Sequence, residues 1–308
     1  MRRHDYNGPD GLRAMQRAVQ RTWTPEQRWH LGDLAWERGS MPVEEPNWRT
    51  WRTALWSDNA NVVVGWGWAT LPDHLDLHVD PAHGELAHEI LAWFESIATG
   101  PDRTVTVLQT ERHLIAALEQ AAYAPVAAAP FFLHCLIDLD ESLATPQPPE
   151  GYRVRAVRED EAEARAAAHR AAWRPSRIGE MFDPPIDLGD AESDMTTERY
   201  RAVMNAWPYR HDLDWVIEAP DGSLVAFALG WLDEVKGVGE LEPVGTDPRY
   251  TRRGLGSAVS LACLHALREA GATRAVVYPR GDNAYPVARR LYLGLGFRPV
   301  ARTVTYGR

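Results

Sequence analysis

The sequence is short of several things, and each shortage excludes a class of protein. Only two cysteines, Cys135 and Cys263, stand among 308 residues. That is too few for a disulfide framework or a four-cysteine metal site, and it fits a reducing compartment. No apolar run approaches the ~20 residues that cross a bilayer, so no membrane association is expected. The opening MRRHDYNGPD has basic residues but no apolar stretch behind them; it does not read as a secretory signal, and the cytoplasm is the expected location. Positive charge is scarce as well. Residues 1 to 150 hold 11 Lys+Arg against 21 Asp+Glu, residues 151 to 308 hold 22 of each, and the whole formal charge of −10 therefore lies in the first half. Phosphate-backbone contacts need a basic face that neither half supplies, so nucleic acid is not an expected partner. The acidic half reads as a solvated surface or as an attractor for a cationic substrate.

What is present has room for two domains. The stretch ESLATPQPPEG, residues 141 to 151, is rich in proline and small polar residues and separates two strand-like runs. It reads as a linker between domains at 1–140 and 152–308. In the second half, helical patterns (REDEAEARAAAHRAAW, TERYRAVMNAW) precede the apolar runs LDWVIEA and SLVAFALGW, which flank a PDG turn, and then the strand-like GVGELEPVGT. From Gly254 to Ala270 apolar residues recur every three or four positions, which predicts a helix ended by Gly271. A strand (TRAVVYP), a short helix (AYPVARRLYLGLG) and a last strand (FRPVARTVTY) complete the order. The first half repeats it: a helix opened by Thr24 as N-cap with Pro25 and Gln27 behind it, a hairpin in TALWSDNANVVVGWGWATL, then strand, helix, strand, helix, and a closing strand PFFLHCLIDL. The phrase HVDPAHGELAHEI lines up with GTDPRYTRRGLGSAV. Two copies of one α+β unit are expected, each a mixed, mostly antiparallel sheet flanked by helices.

The loop GTDPRYTRRGLGSA, residues 245 to 258, runs from a strand into a helix. Such a junction offers free backbone N–H groups and the positive end of the helix dipole, so phosphate is its natural guest. It is not a P-loop, because no Gly-Lys-Ser/Thr follows, and not a dinucleotide fingerprint, because Val259 stands where a third glycine belongs. Arg252 and Arg253 beside Gly254 and Gly256, with Ser257 in the first turn, suit a pyrophosphate.

The order strand, RRGLG, helix, strand, then ARRLYLGLGF resembles the acetyl-CoA-binding core of the GNAT acyltransferase superfamily over most of residues 152 to 305. The resemblance implies a central strand, here Pro243–Thr246 with Val244, Gly245 and Thr246, whose backbone pairs with pantetheine. It implies a pyrophosphate turn, here Thr251–Ser257 with Arg252, Arg253, Gly254, Leu255, Gly256 and Ser257, and a following strand, RAVVYP, that splays away to admit the cofactor. The later signature appears as Asn283, Ala288, Leu291, Tyr292, Gly296 and Phe297. Two departures stand out. Thr251 occupies the place where the family usually has Arg or Gln, where it could cap the helix, and the spacing from Asn283 to Leu291 is about two residues longer than usual. The first half keeps the layout but carries AHGELA in place of the loop, so that copy reads as degenerate, and structural or substrate-binding. The arrangement looks like tandem GNAT proteins of the mycothiol-synthase type.

Acyl transfer to an amine needs a base, polarisation of the thioester carbonyl and a proton for the departing thiolate. Strand alternation puts Glu240 and Glu242 on one face beside the implied thioester, and Glu242, next to Pro243, is the favoured base. The resemblance implies Tyr292 as the acid, the Val244 N–H as oxyanion donor and Asn283 as a cofactor contact. His169 and His211 are alternative bases. The run 171–190, rich in Pro, Trp and charge, reads as a substrate-covering loop or a rigid excursion. His74, Asp76 and His78 share a strand face, as a metal set or a polar face, and no metal is expected. Nine of the 13 tryptophans lie in residues 1 to 150, as core anchors or an aromatic wall. The expected activity is acetyl-CoA-dependent N-acetylation of a small amine, the second domain being catalytic. A larger acyl group, or a non-catalytic acyl-CoA sensor, is the alternative; acceptor and oligomeric state stay open.

Overall fold

A computed structural model describes residues 1–39 and 51–308. In chain order the first half holds β1 (Arg2–Asp5), α1 (Pro9–Thr22), α2 (Leu31–Gly39), β2 (Trp51–Ser57), β3 (Val63–Thr70), β4 (His74–Val79), α3 (Leu86–Ile97), β5 (Thr104–Leu108), α4 (Arg112–Gln120), β6 (Ala124–Pro125) and β7 (Leu133–Asp138). The second half holds β8 (Arg153–Ala156), α5 (Ala162–Ala172), α6 (Pro175–Gly179), α7 (Thr197–Met204), β9 (Asp214–Glu218), β10 (Leu224–Asp233), β11 (Val238–Thr246), α8 (Leu255–Glu269), β12 (Arg274–Val277), α9 (Val287–Gly294) and β13 (Arg298–Gly307). Two local expectations differ. Thr24 caps only a turn, accepting from Glu26 N at 3.3 Å, and the helix starts at Leu31. Helix α1, with Pro9 in its first turn and Leu12, Met15, Ala18 and Val19 buried along one face, was not read from the sequence.

Each unit is an α+β layer of mixed, mostly antiparallel sheet. In the first, β1, β2, β3 and β4 pair antiparallel, β4 and β5 pair parallel, and β13 closes the edge antiparallel to β5. In the second, β8, β9, β10 and β11 pair antiparallel, β11 and β12 parallel, and β7 closes antiparallel to β12. The topology is the same, but each unit is closed by the strand that the other would have supplied. The compact units are accordingly not the two halves of the chain. One comprises Met1–Leu34, the stretch up to His134, and Pro299–Arg308; the other takes α2 from Ala35 and Cys135–Arg298. The proline-rich 141–151 segment lies inside the second.

Packing fixes where the helices lie. In the first unit Phe94, Leu77, Val105, Val107 and Trp56 form the core together with Tyr306 from the C-terminal strand. In the second, α8 lies close on the sheet because β11 has a glycine beneath it: a Cβ on Gly239 would sit 2.7 Å from Leu267 Cδ1. Deeper in that unit Arg165 and Asp214, both fully buried, pair at 3.1 Å. The phenols of Tyr200 and Tyr209 donate to the same carboxylate, and the Arg165 guanidinium lies 3.9 Å over the Phe227 ring. The carboxylate is thus met by three donors, whereas the guanidinium is hydrogen-bonded through Nε alone and its buried Nη1 and Nη2 have no hydrogen-bond partner. No helix among the described residues is long and apolar enough to cross a membrane.

The exchange makes a test. A chain ending at Phe297 loses Tyr306 from the first core, and a fully buried large side chain is worth about 1.5–3 kcal/mol. Hydrogen exchange should then show Thr104–Leu108 deprotected, although the deletion lies at the far end of the sequence. Retained protection of Thr104–Leu108 would refute the exchange.

Candidate active site

Strand β11 carries the site. On one side it runs along β10; on the other it pairs with β12 only for Val238–Glu240 against Arg274–Val276. β12 ends at Val277 while β11 continues to Thr246, so the parallel strands part after Glu240. At the same level β11 bulges. Ala228 faces Val244 and Gly230 faces Leu241, which sets Glu242 and Pro243 opposite the single residue Leu229. A bulge bends its strand and re-aims side chains, and here the displaced Glu242 carbonyl accepts a 2.6 Å bond from Trp231 Nε1.

Tyr292 reaches this place from α9, and it is buried. Burial, then the nearby Glu242, with smaller contributions from its neighbours Tyr285, Cys135 and Glu240, pushes its hydroxyl well above the ordinary tyrosine range. The phenol is thus protonated at neutral pH and lies in the field of both carboxylates. Glu240 is fully buried and Glu242 half-buried. The structure brings together Glu240, Glu242 and Tyr292, and adds Cys135 and Tyr285, which the sequence did not single out. Burial pushes the Cys135 thiol up to about 11, so it stays a neutral wall.

The end of β11 meets the start of α8: a Cβ on Gly256 would lie 3.2 Å from Thr246 Oγ1. Gly254 is the N-cap, at φ 76°, with no side-chain cap and open space where a Cβ would stand. The first intrahelical bond runs from Ala258 N to Gly254 O at 2.9 Å. The amides of Leu255, Gly256 and Ser257 therefore have no acceptor within the helix, and they carry the positive end of its dipole. This is a geometry that fits a diphosphate. Thr251 does not cap the helix; its hydroxyl donates to Pro248 O at 3.0 Å and closes the preceding turn. Both arginines are exposed and held by protein oxygens: Arg252 Nη2 donates to Met181 O at 3.3 Å and Arg253 Nη1 to the Tyr152 hydroxyl at 2.8 Å.

Other candidates fall into place around this core. Gly245 has a packing role, since a Cβ there would lie 2.4 Å from Phe227 Cζ, and Val244 pairs with Ala228. Asn283 is exposed in the loop before α9, where its Oδ1 accepts from Arg289 at 3.0 Å. The 171–190 run borders the site twice, through Met181 at Arg252 and through Trp173, whose ring meets Tyr285 at 5.8 Å. His169 is stacked on Phe227 and bonded to Ser193 at 2.7 Å; burial lowers it to about 3, which makes it a poor base. His211 packs edge-on against Tyr209. His74 and Asp76 pair at 3.3 Å, Asp76 also binds Arg28, and His78 packs beside Trp66. No group of three His, Cys, Asp or Glu among the described residues is placed to hold a metal ion. Trp66 and Trp68 are core residues, each with a tryptophan edge against it.

Residues 181–297 match the family described as Acetyltransferase (GNAT) family. A mycothiol acetyltransferase of Beutenbergia cavernae is 33% identical over 166 residues, 54% of this chain and 51% of that protein; the chain thus covers about half of that relative's length. One of Saccharomonospora viridis is 27% identical over 241 residues, 75% and 72% of the two chains. In fold, a tandem GNAT protein from the clavulanic acid biosynthesis pathway aligns over 100% of this chain and 98% of its own with a TM-score of 0.61 at 15% identity. The stretch that matches the GNAT acetyltransferase family, residues 181–297, contains both the parted strand β11 and the open end of α8, and the chain as a whole shares the fold of a tandem GNAT protein.

Proposed function

We propose that this chain is an acetyl-CoA-dependent N-acetyltransferase acting on the amine of a small molecule by direct attack on the thioester. The observation that carries the proposal is the parting of β11 from β12 beside an uncapped α8, with Tyr292 and two carboxylates at the fork. The acyl donor would lie along Val244–Thr246, its diphosphate on the amides of Leu255–Ser257, with Arg252 and Arg253 turning from Met181 and Tyr152 to meet it. Acetyl-CoA supplies the activated acyl group. The Val244 N–H would polarise its carbonyl, a contribution of roughly 3–4 kcal/mol where such a donor has been removed elsewhere. Glu242, with Glu240 behind it, would take the proton from the ammonium form of the acceptor, and Tyr292 would protonate the departing thiolate.

The 171–190 run, in contact with both the arginine loop and Tyr285, would cover the acceptor. The first unit would be structural. An amine-library screen, read by thiol release from acetyl-CoA, tests the activity. Desacetyl mycothiol belongs in that screen because relatives bear the name mycothiol acetyltransferase. Binding of acetyl-CoA with no turnover on any amine would favour a sensor instead.

Two predictions follow from the roles. Tyr292→Phe should lower kcat by about 10²–10⁴, the usual worth of a positioned acid, with acetyl-CoA affinity unchanged. Because its raised pKa keeps Tyr292 protonated, the wild type should show no loss of rate from this group between pH 7 and about pH 10; a basic limb below 10 that vanishes in Tyr292→Phe would sink the assignment. Glu242→Gln should lose rate most at low pH and recover as pH rises, since a neutral amine needs no base. For the cradle, the double variant Arg252→Ala/Arg253→Ala should weaken acetyl-CoA binding about 10–100-fold and flatten its salt dependence. Unchanged affinity would remove both residues from the phosphate site.

A further inference from the structure

The first unit has the same fork. Its parallel strands β4 and β5 pair at His74 with Thr104 and at Leu75 with Val105, and no further, while β4 runs on to Val79 and β5 to Leu108. At the next position, Asp76 and Thr106, something of this chain already stands between them. Arg28 Nη1 donates at 2.6 Å to Asp76 Oδ1 on β4 and at 2.6 Å to the Thr106 carbonyl on β5. One step along, Trp29 Nε1 donates at 2.9 Å to the Leu77 carbonyl. The segment is tied down behind the fork as well. Arg28 N donates to Glu111 Oε1 at 3.3 Å, Leu108 N donates to the other oxygen of that carboxylate at 2.8 Å, and Thr110 donates to the Glu26 carbonyl at 2.7 Å.

None of this is a loose surface contact. Trp29 is 7% exposed; its ring meets Trp66 at 5.2 Å, and the Arg28 guanidinium lies 4.4 Å over it. Burial opposes ionisation of Asp76, and Arg28 and His74 overcome it, holding the carboxyl below its usual range. The helix that follows β4 is also unlike its counterpart. Glu85 occupies the N-cap of α3, with Glu89 in the first turn, where the second unit has Gly254 and a first turn free of acidic residues. Carboxylates at that end repel an anion that α8 would attract.

We infer that residues 26–29 fill the first unit's cofactor fork, so that this unit takes no acyl-CoA and each chain binds a single molecule, in the second unit. The inference rests on the proposed acyl-CoA site of the second unit. Opening the first fork would break the bridging Arg28 bonds, leave the half-buried Asp76 with His74 alone and expose Trp29, a combination that a thioester arm has no charged groups to replace.

The test is stoichiometry and location on the full chain with acetyl-CoA and no acceptor. Native mass spectrometry and calorimetry should find one molecule per wild-type chain and none at the same concentration in Gly256→Val, whose Cβ would press on Thr246 Oγ1. The surface variant Arg252→Ala/Arg253→Ala, whose side chains are exposed, should weaken the same single site by about 10–100-fold. Hydrogen exchange on the wild type should show new protection within 241–257 and none at 76–79 or 104–108. A second bound molecule, a site that survives both variants, or new protection at 104–108 would overturn the inference. No binding to the wild type would overturn the proposed function and leave the first fork closed as inferred.

Discussion

A pair of parallel strands that stops pairing midway leaves a row of backbone N–H and C=O groups at a buried seam, and every one of them needs a partner. Both units of this chain have such a seam, at Leu75 and Val105 in one and at Glu240 and Val276 in the other. The first unit meets the demand from within, with a guanidinium across the fork and an indole N–H on the next carbonyl. In the second the Glu242 carbonyl accepts from Trp231 of β10, and the proposed acyl donor would meet the demand along the β11 edge beyond. The same topology can therefore be a closed scaffold or an open cleft, and which one it is depends on a few side chains that lie outside the repeated elements.

An open fork needs support behind it, and the second unit's buried charges supply that. Asp214 accepts from Arg165, Tyr200 and Tyr209; Arg165 lies against Phe227; and Phe227 packs so closely on Gly245 that no side chain fits there. The chain of contacts ends on the stretch of β11 that has lost β12. On the other face α8 lies on Gly239 and brings its open end to Thr246. A strand held front and back can keep its edge groups aimed without a neighbouring strand, which is the preorganisation that an acyl-transfer site requires.

Much of this was legible in the residues because it is local. The helix α8 and the glycine-arginine turn before it are written in periods and spacings within some 20 residues, and the repeat order is visible by aligning HVDPAHGELAHEI with GTDPRYTRRGLGSAV. What was not legible is pairing at a distance. Nothing in the residues of β7 or β13 says which sheet edge each will close; the exchange is decided by packing, as when Tyr306 joins a core built from residues 54–123. The stretch around Thr24 carries a strong capping pattern, yet its next residues are claimed by Asp76, Thr106 and Glu111, so the helix waits until Leu31. Tertiary hydrogen bonds there outweigh a local signal worth about 1 kcal/mol.

The charge split takes on a meaning in this light. All of the formal charge of −10 falls in residues 1 to 150, which supply most of the unit whose fork is closed. An acyl-CoA cleft must attract several phosphate charges from solution, and an acidic surround lowers the local concentration of an anion over a Debye length of about 8 Å. A unit with its fork filled is free of that requirement. Its acidic residues can then serve solubility, and Glu85 can sit at the N-terminus of α3, where it stabilises the helix by its dipole instead of competing with a ligand. In the second unit the same position must stay uncharged, and it is held by Gly254. On the proposed reading the acidic half and the glycine cradle are two sides of one division of labour: a fork that binds itself tolerates carboxylates, and a fork meant for phosphate would not.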